Sequence, residues 1–219
     1  MTFAGVCTAT VSSLTDPEGE GRVQVKYHML PNAPKSAWAA LAHPLAGGKR
    51  GVYFMPEIGD EALVAFDHGD FNHPFVLGFL WNGSDKPPVE GIDSNVRRIQ
   101  SISGHQIDLD DRAATKSIVI KTAGGHTIEL TDKPGNVHIS ISTPGGQKIQ
   151  IADQPTPNIT ISAPTGNVKV ECLQATVQAS SMLQVSAPIT TFSGVVQAQT
   201  VIATAVVSTS YSPGAGNML

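Results

Sequence analysis

Asp110 and Asp111 are adjacent carboxylates, and paired carboxyls facing one bond are what general acid–base chemistry uses. Neighbours in a strand or turn point in different directions, and aspartates are ordinary turn residues, so this pair predicts a turn rather than a catalytic dyad. His105 and His126 each follow a glycine and lie 21 residues apart. In a symmetric assembly each would recur around the axis and could hold a metal there; a surface or turn position is the expectation. His68 and His73 flank a loop with Asp67 and Asp70, but donor types at such spacing do not by themselves make a metal site. Cys7 and Cys172 fall in different halves and read as reduced thiols, not a disulfide framework. No Gly-rich phosphate loop, Gly-x-Ser-x-Gly or Cys-x-x-Cys occurs. The expected catalytic residues, cofactor-binding residues, metal ligands and cofactors are therefore none.

The elements around these residues come in two styles. Gly (21) and Pro (15) are plentiful and charged residues make up 15 % of the 219 residues, so turns are many and long helices few. Ten of the twelve aromatics lie at or before Trp81; only Phe192 and Tyr211 follow. An aromatic-rich first half can close a compact core, while the second must bury small aliphatic side chains differently. Met1-Thr2-Phe3-Ala4 opens with no charged flank or apolar run, and no stretch of about 18 apolar residues exists. The expectation is a chain made in a cytosol and exported, if at all, by other means.

The second half repeats. Ser103-Gly104-His105-Gln106-Ile107-Asp108-Leu109-Asp110-Asp111 is followed by Gly124-Gly125-His126-Thr127-Ile128-Glu129-Leu130-Thr131-Asp132 and by Gly145-Gly146-Gln147-Lys148-Ile149-Gln150-Ile151-Ala152-Asp153. Glycines 104, 125, 146 and 166 are 21, 21 and 20 apart. Apolar pairs recur at Ile107/Leu109, Ile118/Ile120, Ile128/Leu130, Ile139/Ile141, Ile149/Ile151, Ile159/Ile161 and Val168/Val170, in steps of 9 to 11 residues. Acidic or Pro-containing turns alternate with glycine-rich ones. This predicts a meander of short strands, apolar on one face, with Asp108, Glu129, His138, Ser140, Gln150, Thr160 and Lys169 on the other. A lone meander of this kind lacks a partner layer; several copies with apolar faces inward supply one, three of them as a triangular prism and two by stacking.

The first half reads as strands over 3–11, 22–27, 61–66 and 75–80, separated by turn clusters. About five strands in about 80 residues, with no helical periodicity, suit a five-stranded barrel of the OB type. The ordered set Asp16-Pro17, Gly21-Arg22-Val23, Trp38, Pro44, Gly47, Gly51, Phe54-x-Pro56-x-x-Gly59-Asp60-Glu61-x-Leu63-Val64-x-Phe66-x-x-Gly69-Asp70 and Pro74-x-Val76-x-Gly78-x-Leu80-x-Asn82 resembles the N-terminal barrel of phage baseplate assembly protein V, a domain shared with the valine-glycine-repeat (VgrG) spikes of type VI secretion. The roles of these residues are structural: glycines for tight turns, prolines fixing the chain before strands, Trp38 and Trp81 as fillers of a core or of a contact between subunits. OB barrels often bind oligonucleotides or oligosaccharides. Residues 1–98 hold eight Lys/Arg against eleven Asp/Glu, so no basic face is expected and nucleic acid is excluded as a partner.

The resemblance implies more. Some spikes of T-even type carry a lysozyme domain between barrel and needle; the gap at 83–98, with Pro87-Pro88, is far too short for one, which removes the usual enzymatic activity. The Ser-Gly-His-x-Ile-x-Leu-Asp-Asp opening closely resembles the start of the family's triple-stranded β-helix, and the number three comes partly from that likeness. From Cys172 to Leu219 there is no Asp, Glu, Lys, Arg or His. Such an uncharged β-prone segment is an aggregation hazard unless paired along its length, and an intertwined trimer pairs it. Some spikes hold iron at the apex through His-x-His. No His follows His138, so no apical metal is expected, and the blunt end at 212–219 resembles spikes capped by a separate PAAR-type tip protein.

The expectation is an all-β chain: an N-terminal OB-fold barrel (1–82), a linker (83–98), a β-helix of 20–21-residue repeats (99–171), and an uncharged β-helical needle with its apex (172–219), together an intertwined trimeric β-prism. Its expected role is that of a homotrimeric, non-enzymatic, membrane-piercing central spike of a contractile phage tail. It would lie in the virion baseplate, be assembled in the host cytoplasm, attach to a hub protein by the barrel and touch the target envelope transiently. Because the chain starts at the barrel, a phage particle with a separate hub is favoured over a type VI or extracellular injection spike. The reading from another class, a β-helical glycan-binding or glycan-degrading protein, calls for exposed aromatics and clustered carboxylates in the repeats, and the repeats lack the aromatics.

Overall fold

A computed structural model describes residues 3, 5–30, 32, 35–91 and 93–209. Its regular elements among the described residues are strands, save for one short 3-10 turn at Asp67–Gly69. The strands are β1 (Val6–Ser13), β2 (Gln24–Tyr27), β3 (Ala40–Leu41), β4 (Ala46–Gly47), β5 (Arg50–Gly51), β6 (Glu61–Phe66), β7 (Pro74–Phe79), β8 (Val96–Gln100), β9 (Gln106–Asp110), β10 (Ser117–Lys121), β11 (Thr127–Lys133), β12 (Asn136–Ser142), β13 (Lys148–Ala152) and β14 (Asn158–Ser162).

The first sheet runs β2-β1-β6-β7-β3, with β3 parallel to β7 and the other pairs antiparallel. Val23 and Ala39 then close the ring, Val23 N–H donating to Ala39 O at 3.0 Å and Ala39 N–H to Val23 O at 2.8 Å. Without the small β4–β5 pair this is the connectivity of a five-stranded OB barrel. Alternation builds its core: in β6, Ala62, Val64 and Phe66 are buried while Glu61, Leu63 and Ala65 are only partly covered. Ala9, Val11, Val23, Val25, Tyr27, Ala39 and Val76 complete it. Phe66 stacks on Phe71 at 5.0 Å between centroids, and Tyr27 lies 4.7 Å from Phe71. Burial pushes the Tyr27 phenol up to about 12, and its hydroxyl has no hydrogen-bond partner. The nearby Ser36 Oγ is already engaged, accepting Val25 N–H at 2.9 Å and donating to Ala37 O at 2.6 Å.

The second sheet is a seven-stranded antiparallel meander in strict chain order, β8 to β14. Its first strand begins at Val96, inside the stretch expected as linker. Arg98 explains why: its guanidinium grips both carboxylate oxygens of Asp108 at 2.7 Å, and its Nη1 donates to Pro88 O at 3.0 Å. The glycine hairpins share one construction: Gly104 N–H donates to Ser101 O, Gly125 to Thr122 O and Gly146 to Thr143 O, and these glycines have φ of +90°, +90° and +86°. A Cβ on Gly125 would stand 3.1 Å from Pro144 Cγ, and one on Gly146 3.3 Å from Pro164 Cγ. Each turn therefore lies against the next.

The chain divides into two compact units, Met1–Val168 and Lys169–Leu219. Val168 and Val170, expected as a further strand pair, are outside any strand, and no residue of 169–209 is in one. The described part of the second unit is exposed throughout, Leu183 at 64 % and Val207 at 98 % among its side chains. The alternation there marks a face, but a ladder requires a neighbouring strand, and this segment finds none among the described residues of the chain. Over 96–162 every strand pairs with neighbouring strands of its own chain. The expected apex, 212–219, lies outside the described residues.

Candidate functional site

Register determines what the meander presents. Ile107 pairs with Ile120, Ile120 with Ile128, Ile128 with Ile141, Ile141 with Ile149 and Ile149 with Ile161. A second row runs Leu109, Ile118, Leu130, Ile139, Ile151 and Ile159. Two unbroken apolar rows thus cross one face, with Ile99 extending the first. These side chains stay 39 to 50 % exposed across β8–β13 and reach 73 % at Ile159 in β14. An apolar surface this continuous marks a contact surface.

The opposite face is polar and better covered. Ser140 and Thr131 are buried there at 4 and 2 % exposure. Glu129 faces Lys133 Nζ at 3.5 Å and His138 Nε2 at 3.9 Å. Long polar side chains lie over their neighbours on this side, while the shorter branched ones on the other side wait for a cover.

The barrel carries a second apolar surface that its strand pattern half announced. In β7, Pro74 and Val76 point into the core while Phe75, Leu77 and Phe79 alternate outward at 41, 47 and 42 % exposure. Trp81 follows at 68 %, so it is no core filler within the chain, while Trp38 is half-buried. Tyr53, Phe54 and Ile58 stand out at 77, 59 and 66 %. Apolar residues at consecutive positions from Phe75 to Trp81 were the signal for two apolar faces on one strand.

The residues that could have done chemistry do not converge. Asp110 sits on the polar face, gripped by Arg112 at 2.9 and 2.6 Å and by Thr115 Oγ1 at 2.8 Å. The Arg112 guanidinium holds its carboxyl well below the usual carboxylate range. Asp111 points the other way and pairs with Arg97 at 2.8 Å. His73 Nδ1 lies 2.8 Å from Asp70, whereas His68 projects into solvent at φ +47° with Asp67 at 3.7 Å. His105 and His126 lie at strand ends on the sheet margin, away from the middle of the apolar face. Cys7 is partly covered and Cys172 exposed, both free. No group of three or more His, Cys, Asp or Glu able to hold a metal occurs among the described residues.

The family match falls on the barrel. Residues 7–81 match the family described as the type VI secretion system/phage-baseplate injector OB domain. The chain is 24 % identical over 127 residues to the type VI secretion system spike protein VgrG3 of Vibrio cholerae, covering 50 % of this chain and 12 % of that protein. It is equally 24 % identical to the actin cross-linking toxin VgrG1 of Vibrio cholerae over the same length. Over 85 residues it is 32 % identical to the type VI secretion system spike protein VgrG1a of Pseudomonas aeruginosa, 34 % of this chain and 13 % of that one. The chain thus spans about an eighth of the length of these relatives.

Proposed function

We propose, for a chain whose barrel makes it a baseplate V and VgrG-like protein, that it is the central spike of a contractile injection machine. The work is mechanical and the chain catalyses nothing. Three copies bury the Ile/Leu rows against one another as a prism. The barrel joins this shaft to the hub of the baseplate, and the uncharged segment beyond Glu171 is the part driven into the target envelope. Wholly paired backbone and the absence of charge lower the cost of passing through hydrocarbon. A PAAR-type tip protein closes the end. In the first reading the machine is a phage tail and the chain a virion component. A second, favoured by the type VI spikes among the relatives, is a type VI apparatus.

The observation that carries the proposal is the pair of in-register apolar rows left open on a sheet that follows an injector barrel. The experiment is the mass of the full-length protein in solution by light scattering, with and without brief heating in SDS. A trimer that resists SDS is the expected result. A soluble single chain would overturn the proposal and return attention to a ligand for the open face.

A further inference from the structure

On the three repeats the alternation runs past the apolar pair to both strand ends: His105-x-Ile107-x-Leu109-x-Asp111, His126-x-Ile128-x-Leu130-x-Asp132 and Gln147-x-Ile149-x-Ile151-x-Asp153. Residues two apart along a strand share a face; Asp132 lies within β11 and the other end residues one position beyond β9, β11 and β13, so continued alternation carries the imidazole or amide and the carboxylate to the apolar side. Backbone bonds place each end. His105 O, His126 O and Gln147 O accept from Ser101, Thr122 and Thr143 at the glycine margin. Asp111, Asp132 and Asp153 N–H donate to Asn95, Lys116 and Val137 at the opposite margin. The apolar face is thus framed by a column of N–H donors on one side and a column of carboxylates on the other.

His105, His126, Asp111, Asp132 and Asp153 are exposed, while Gln147 is half-buried with its Oε1 accepting from Thr143 Oγ1, which leaves its amide N–H to donate. Among the described residues the His126 ring, Asp132 and Asp153 make no side-chain hydrogen bond or ion pair, while His105 Nδ1 accepts from Ala123 N–H at 3.2 Å and Asp111 holds Arg97. The two columns cannot meet within one chain, because six residues of extended strand separate them by about 20 Å.

We propose that the donor margin of one copy docks on the carboxylate margin of the next, His105 on Asp111, His126 on Asp132 and Gln147 on Asp153 of the partner subunit. This rests on the reading of the chain as a closed assembly of copies and names the contact that sets its register. Rotation about an axis along the stack brings unlike margins together and adds no translation, so residues at the two ends of the same strand arrive at the same level. An imidazole or amide N–H then donates to a carboxylate oxygen at the corner where two sheets abut. A slip of one strand would set His126 against Lys116 or Val137 instead, since these alternate with the aspartates along the same margin. The apolar rows supply adhesion without preference for height; the corners supply the height.

The test uses the full-length chain with Cys7→Ser and Cys172→Ser, then His126→Cys together with Asp132→Cys. A disulfide needs Cα atoms within about 7 Å, so oxidation is expected to give covalent dimers and trimers on a denaturing gel, about tenfold more than a mismatched His105→Cys/Asp153→Cys pair. A trimer by light scattering with no cross-link, or with equal cross-linking of both pairs, overturns the corner contact and leaves the trimer standing. A single chain in solution overturns both. Should the cysteine pair fail to assemble, Asp132→Lys is expected to lower the temperature at which the assembly dissociates, and adding His126→Asp to restore it; no restoration overturns the proposal.

Discussion

Replacing Ile139 by aspartate separates an open sheet face from a buried one. Ile139 lies in β12 between Leu130 and Ile151 and is 47 % exposed in the single chain. Full burial of such a side chain is worth roughly 1.5–3 kcal/mol, so covering the remaining half contributes about 1 kcal/mol per copy. An aspartate forgoes that and places a carboxylate among isoleucines and leucines, at several kcal/mol for each ion taken from water. In the proposed trimer the change occurs three times, and the sum is on the order of 10 kcal/mol per assembly, comparable to the whole stability of an ordinary domain. If the face met only water, the same change would stay within about 0.5 kcal/mol. Light scattering and SDS resistance read the difference, with Gln150→Glu on the opposite face as the control expected to assemble normally. An Ile139→Asp protein that assembles and melts like the wild type would refute the reasoning.

Tyr27→Phe is expected to leave the barrel as stable or to raise its stability by about 1 kcal/mol in denaturant melts, because it deletes a buried hydroxyl that bonds to nothing. Gly125→Ala, at φ +90° with Pro144 Cγ 3.1 Å from the new methyl, is expected to cost about 1–2 kcal/mol; adding Pro144→Ala should recover the steric part but not the backbone part. Asp16 accepts from the Arg22 guanidinium at 3.1 and 2.8 Å and from three backbone N–H groups, and the guanidinium holds its carboxyl far below the usual range. A lowered carboxylate contributes stability that is complete above its unfolded value, near 3.9, and is lost as pH falls toward the folded one. Thermal melts should therefore weaken on acidification below about pH 4, and Asp16→Asn should flatten that slope.

Patterns carried by neighbouring residues were legible. Period-two alternation located the apolar pairs from Ile107 to Ile161, and the structure sets them side by side in register. What depends on distant partners was not legible. The closure of the barrel pairs Val23, inside the stretch read as a strand, with Ala39, which has no strand signature of its own. Arg97 and Arg98 looked like linker charges because their partners, Asp111 and Asp108, lie 14 and 10 residues on. Beyond Val168 alternation persists without a ladder, since a side-chain pattern names a face and not the strand beside it. The donor and carboxylate margins were visible only as turn residues until the rungs at 101/105 and 116/132 placed them at the two margins of the sheet.

The stacked glycine hairpins make length a free variable. Gly125 rests on Pro144 and Gly146 on Pro164, so each turn is supported by the next one alone. A whole unit added or removed would leave every other contact as it was. Each unit of two strands advances the stack by about 9.5 Å. Duplication of some 21 codons would thus lengthen the sheet by one fixed notch, and in the proposed spike a lineage could match its reach to the thickness of the barrier it faces without redesigning either end.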